Sequence, residues 1–330
     1  MAPTIVFTAC PPESLDSTPV NLHDLPEEQN LAHSAEIVTQ TLAAITESPR
    51  LHLEFNTSLN EIYIGHLEHG KQDEVNHNWR QVNWVNWLDE AAIHVNFTIA
   101  LNPFTWGWMT REVQLGRKFS VLWELASAAS YGPPPRPPPS PPPSLPHPTI
   151  TFFNFLTITP PSPPPRINAP LPKKFFDFAV AVVSIHETFH LVNFRIFGDL
   201  GTPTTHKIPS GESGQGIETR LFGGRIAAEW LKGYEGDFRY LCGLYVETLQ
   251  GLVPITEDDI DQFLEELLDE QAIRFSWNAG DRPALQHLDE GKVRTFGLDF
   301  KPPTKKAPLR KVHGLLPGRV WRPILERCHE

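Results

Sequence analysis

Eighteen of the 34 prolines fall between Pro133 and Pro172, and no other feature restricts the fold as strongly. Proline fixes φ and has no N–H to give to a helix or a sheet ladder. The block, which includes PPPRPPPSPPP and PPSPPPR, is therefore excluded from helix and central strand. Residues 133–172 are predicted to be a disordered, polyproline-II-like insert around a short apolar island, Phe152 to Ile158. The insert separates a loose N-terminal tail (1–30) and an N-terminal α+β region (31–132) from a helical region (173–290) and a basic C-terminal tail (291–330). An SH3- or WW-type domain is the partner such a block suggests. PxxP matches are unavoidable in this composition, and an inert linker is the preferred reading.

Outside the block the chain can build a core, because hydrophobic residues are 40% of the whole and charged residues 20%. The formal charge of −11 argues against a nucleic-acid binder, which needs surplus positive charge to neutralise phosphates. The longest apolar run, Phe175 to Ile185, is short of a membrane span and is interrupted by Asp177. Met1 to Cys10 has no basic n-region, so secretion is not indicated and a cytoplasmic location is expected. Cys10, Cys242 and Cys328 are too far apart to suggest a disulfide framework or a cysteine metal knuckle.

Leu51–Phe55 and Glu61–Leu67 alternate as strands around an Asn-Thr-Ser-Leu-Asn cluster, which predicts a hairpin. Helical spacing is expected from Asp73 to about Ala100, with Trp84, Leu88, Ala91 and Val95 on one face, and again from Ser120 to Ser130. Six of the nine tryptophans lie between Trp79 and Trp123, where packing is the expected role and a substrate groove the alternative. Phe175 to about Phe197 reads as a strongly apolar helix, and a Gly-, Pro- and Thr-rich loop runs on to Gly211. A second helix is expected to reach Leu231 on the stripe Ile217, Leu221, Gly224, Ala228. Thr256 is a predicted N-cap with Asp259 at N3, Ile255 and Ile260 form a staple, and Phe263, Leu264 and Leu267 lie on the apolar face.

The segment carrying chemistry is Val183-Ser-Ile-His186-Glu187-Thr-Phe-His190-Leu-Val192, an HExxH sequence. Four residues of helix are about 400° of turn, so His186 and His190 project from one face, one turn apart. Two imidazole nitrogens so placed can share one divalent ion. Glu187, about 100° around, can reach a water on that ion without ligating it. Thr188 and Phe189 are uncharged, and both flanks are apolar enough to bury the helix. Burying His186, Glu187 and His190 unpaired would cost several kcal/mol, and a metal explains the trio.

On these residues, about 20 around His186 to His190, the chain resembles the HExxH zinc metallopeptidases, the zincins. Asn193 and Ile196 stand where the metzincin pattern has Gly and His, and Thr204 stands where the aspartate type has Asp. The chain is most similar to the glutamate type, in which a downstream helix supplies the third ligand. Glu212, 22 positions after His190 and beside the small Ser213 and Gly214, is preferred; Glu218 is the alternative, with His206 or no protein ligand behind them. On one continuous helix the two glutamates lie about 240° apart and cannot both face one ion, and Gly214 and Gly216 are where such a helix would break. The glutamate not used is expected to orient a ligand histidine. The resemblance implies a mainly helical, zincin-like α+β fold with a small sheet near the motif helix. It also implies a zinc ion (Zn2+) and hydrolysis of a peptide or protein by a metal-activated water, with Glu187 as general base. His206, Tyr234 and Tyr240 are candidates to stabilise the oxyanion, each more readily explained as a loop or packing residue. The rival expectation is a non-catalytic interaction protein, or a degenerate zincin, that recruits partners through its proline-rich and charged segments.

Overall fold

Ser48 both ends one helix and begins the next. Its N–H donates to the Ala44 carbonyl at the end of α1 (Ala32–Glu47), and its hydroxyl accepts from Leu51 N at 3.3 Å at the start of α2 (Pro49–Glu68). Pro49 follows at the first helical position, where a missing N–H costs nothing. The expected hairpin at 51–67 is thus a helix. Leu51, Phe55, Leu59 and Ile62 are fully buried with helical spacing, and Thr57 Oγ1 satisfies itself on the Leu53 carbonyl at 2.7 Å. Asn56, Thr57 and Asn60 of the apparent turn cluster lie on the outer side of an amphipathic helix, and Ser58 is buried on its inner side.

The computed structural model describes residues 3–10, 19–25, 30–90, 92–98, 106–109, 117–131, 171–205, 211–232, 234, 237–248, 251–268 and 292–295. All fall within one compact unit, Met1–Pro135 together with Ile167–Phe300. The expected disordered insert, apart from its last two residues, and the C-terminal tail beyond Thr295 lie outside the described residues.

The architecture is α+β, mainly helical with two small sheets. The first sheet has the order β2-β1-β3-β5-β4, from β1 (Ile5–Ala9), β2 (Val20–Asn21), β3 (Ile93–Thr98), β4 (Gly107–Met109) and β5 (Lys118–Leu122). β1, β3 and β5 run parallel, and β2 and β4 pair antiparallel at the two ends. Three expectations are corrected by this sheet. Ile5–Ala9 is a paired strand and not part of a loose tail. The helix predicted to run to Ala100 is only α3 (Trp84–Glu90), and Ile93, Val95 and Phe97 alternate as a fully buried central strand. Residues 120–122 close β5, and α4 (Trp123–Tyr131) begins one residue later.

The predicted apolar helix is present as α5 (Lys173–Phe197). By length and composition it could cross a membrane, but 94% of that apolar window is buried inside the protein, as in a core helix. It packs on α1, α4, β4 and β5, on α6 (Ser213–Phe222) and on α7 (Glu257–Leu268). The segments before and after the proline block therefore share one core, as in the edge-to-face contact of Phe55 with Phe189 at 5.0 Å.

The helix expected to reach Leu231 stops at Phe222. Gly223 takes the left-handed conformation (φ 79°) that caps α6, and the chain turns into β6 (Arg225–Leu231). A second, antiparallel sheet follows in the order β8-β7-β6-β9, with β7 (Leu241–Thr248), β8 (Gly251–Pro254) and β9 (Lys292–Thr295). The cap of α7 is as predicted: Asp259 accepts from Thr256 N at 2.8 Å and Thr256 Oγ1 at 2.7 Å, and Ile255 and Ile260 are buried.

α6 is fastened to α2 by charge. Arg220 donates through Nε to Glu54 Oε2 at 3.0 Å and through a terminal nitrogen to Glu61 Oε1 at 2.9 Å, and both carboxylates are largely buried. Arg220→Met leaves Glu61 without its guanidinium, while Arg50 still pairs with Glu54 at 2.8 Å. A loss of roughly 2–3 kcal/mol is expected in denaturant unfolding.

Candidate metal centre

α5 and the start of α6 build the site between them. On α5 the imidazoles of His186 and His190 lie with centroids 4.9 Å apart, and their Nε2 atoms are 3.2 Å apart. A tetrahedral ion with bonds of about 2.0–2.1 Å holds two nitrogens about 3.3 Å apart, so the pair has the span such an ion requires. Glu212 completes the group: one carboxylate oxygen pairs with His190 Nε2, and the other is 3.5 Å from His186 Nε2. The ligand atoms of His186, His190 and Glu212 all lie within 4.8 Å of one another, a group that could hold a metal ion.

Glu212 reaches this position because it precedes α6 as its N-cap, with extended backbone (φ −115°, ψ 114°). Its carboxylate accepts from Gly214 N at 3.2 Å and Gln215 N at 2.7 Å. The helical-wheel separation of Glu212 and Glu218 does not apply to a residue outside the helix. Glu218, inside it, accepts from His186 Nδ1 at 2.5 Å and from Ile226 N at 2.8 Å. It thus stands behind the ring and away from Nε2, in the orienting position expected for the glutamate that does not ligate. His190 Nδ1 has the matching contact with Ser213 Oγ at 2.9 Å, a partner that sequence reasoning did not assign. The cap and first residue of α6 thereby supply the carboxylate and the His190 partner, and the second turn supplies the His186 partner. Gly214 permits the approach: a Cβ there would lie only 2.2 Å from His186 Nε2 and 2.3 Å from Cδ2 and Cε1 of the same ring.

His186, Glu187 and Glu218 are buried, whereas the side chains of His190 and Glu212 keep 24% and 23% of their surface, so the group opens to solvent on that side. Burial opposes a charge on His186, but Glu212 and Glu218 override it and hold its pKa well above the ordinary value. Burial likewise opposes ionisation of Glu212, yet His190 and His186 hold its pKa well below the usual range. Burial dominates at Glu187 and Glu218 and pushes both carboxyls up, against the pull of the histidines. Three carboxylates around two imidazoles leave negative charge in a low-dielectric setting, which a divalent cation balances. Glu187 Oε2 is buried with no hydrogen-bond partner among the described residues. Gly107 of β4 sits against this side chain; a Cβ there would be 3.2 Å from Glu187 Cγ and 2.9 Å from the Ser120 carbonyl oxygen.

Two outcomes follow. Glu218→Ala is expected to weaken divalent-metal affinity about 10–100-fold in competition with a chelator, because the His186 ring loses its orientation and basicity. Metal affinity is also expected to fall as pH drops through the raised His186 range, since the bound ion takes the place of that proton. Titrations in two buffers of different ionisation heat should show proton release.

Of the remaining candidates, the rings of Tyr234 and Tyr240 pack against each other, tilted by 31° with centroids 4.2 Å apart, beside Arg239, and His206 lies outside the described residues. The chain matches no protein-family profile, no curated protein and no solved structure.

Proposed function

We propose that this chain is a zinc-dependent peptide-bond hydrolase of the glutamate-type zincin kind, with His186, His190 and Glu212 as zinc ligands and Glu187 as general base. The observation that carries the reading is the convergence of two Nε2 atoms 3.2 Å apart with the Glu212 carboxylate, one residue from a buried, unpartnered Glu187 Oε2. A zinc ion held there supplies Lewis acidity to a water and to a substrate carbonyl. Glu187 would accept the proton of an attacking water and return it to the leaving amine; its burial raises its pKa toward the value such a shuttle needs. Glu218 and Ser213 hold the two imidazoles in the orientation that directs Nε2 at the ion.

An extended peptide suits the site better than a compact substrate. β4 ends the first sheet among the described residues and passes Glu187 at Gly107. A substrate segment adding to its outer edge as a further strand would run past the general base. The test is metal analysis of the purified chain followed by peptide-library cleavage read by mass spectrometry. About one zinc per chain, with cleavage that a chelator stops and zinc restores, is expected. A well-folded chain with no affinity for zinc would overturn the reading.

A further inference from the structure

The tryptophan-rich stretch contains a feature that the metal centre does not use. Trp79, Trp84, Trp106 and Trp123 are buried as core, but Trp87 on α3 is partly exposed. Two guanidinium groups converge on it: Cζ of Arg117, just before β5, lies 4.8 Å from the ring centroid, and Cζ of Arg195, in the last turn of α5, lies 5.7 Å from it. Each distance is within cation–π range.

Like charges gathered on one ring repel, and among the described residues only Glu90 acts against that repulsion, through space and at Arg117 alone. Neither arginine forms a salt bridge there, and Arg117 Nε is buried with no acceptor. Burial works against the Arg117 charge, Glu90 supports it and Arg195 opposes it. A desolvated guanidinium edge without an acceptor is costly, and an oxyanion is the group that matches its planar, forked donors. The location is separate from the metal centre. Arg195 follows His186 by nine residues on α5, about 900° of turn, and so points from the opposite face some 13 Å along the axis.

We propose that Arg117 and Arg195, converging on Trp87, form a binding site for a small oxyanion: the phosphate or carboxylate group of a soluble ligand. The indole keeps both guanidiniums within cation–π range, which reduces the side-chain entropy still to be lost when an anion binds.

The test is calorimetric titration of the full, metal-loaded chain with inorganic phosphate and, separately, with acetate, at low and matched ionic strength. Saturable binding of at least one anion is expected, and the tighter of the two identifies the ligand group. Arg195→Gln, at an exposed position, should weaken binding about tenfold or more and leave metal content unchanged. Arg117→Lys, which keeps the charge and loses the fork, should also weaken it. Absence of saturable binding of either anion up to roughly 20 mM would overturn the proposal, as would wild-type affinity in Arg195→Gln.

Discussion

Glu187→Gln is expected to lower peptide hydrolysis by about three to four orders of magnitude while the chain keeps its metal. The amide matches the carboxylate in volume, so the packed contact with Gly107 survives, and His186, His190 and Glu212 are untouched. What disappears is the ability to take up a proton. The same substitution should raise the stability of the metal-free chain at neutral pH. Burial lifts the Glu187 pKa in the folded state, so the carboxyl contributes most to stability below its unfolded pKa, and that contribution is lost as pH rises through the raised value. Glutamine cannot ionise and escapes the loss. Activity and melting temperature should therefore move in opposite directions, which separates removal of a base from general damage to the fold. Wild-type turnover in the variant would remove Glu187 from the chemistry and the hydrolase reading with it.

The parts of this site that sequence discloses are those fixed by short-range geometry. His186, Glu187 and His190 are set by helical spacing alone, and α5 is recognisable by its long, proline-free apolar run, although only its burial in the fold distinguishes a core helix from a membrane span. Glu212 is legible through its distance from His190, yet its means of arrival is not. It lies outside the helix as an N-cap, and only the docking of α6 on α5 shows that this frees it from the opposition with Glu218. Ser213 is hidden for the same reason, since a hydroxyl becomes an imidazole partner only once the two helices meet. The Arg220 clamp joins residues 166 and 159 positions apart, a separation over which no periodicity speaks. Among the elements, β3 and β6 were hidden by apolar residues that satisfy a helical stripe and a strand alternation at once. α2 was hidden by polar residues whose turn preference is weaker than the burial of Leu51, Phe55, Leu59 and Ile62.

Gly214→Ala tests how α6 is docked. In an ordinary helix the change is favourable by about 1 kcal/mol, because alanine loses less backbone entropy. Gly214 is in the first turn of α6 and its φ is not positive, so backbone conformation raises no objection. The obstacle is the His186 imidazole, whose Nε2, Cδ2 and Cε1 atoms occupy the space a methyl group needs. His186 is 2% exposed and tied at Nδ1 to Glu218, so the ring has no room to retreat. The strain must be relieved by moving the start of α6, which carries Glu212 and Ser213, away from both rings. Overpacking of this kind costs about 1–3 kcal/mol, enough to reverse the helical gain. Metal affinity should fall more steeply, by about a hundredfold or more, because the carboxylate and the Ser213 partner of His190 are displaced together. Chelator competition and denaturant unfolding of the same preparation measure the two effects. A variant more stable than wild type that retains its metal would show that α6 does not rest on the His186 ring, and the carboxylate assigned to the ion would then need another source.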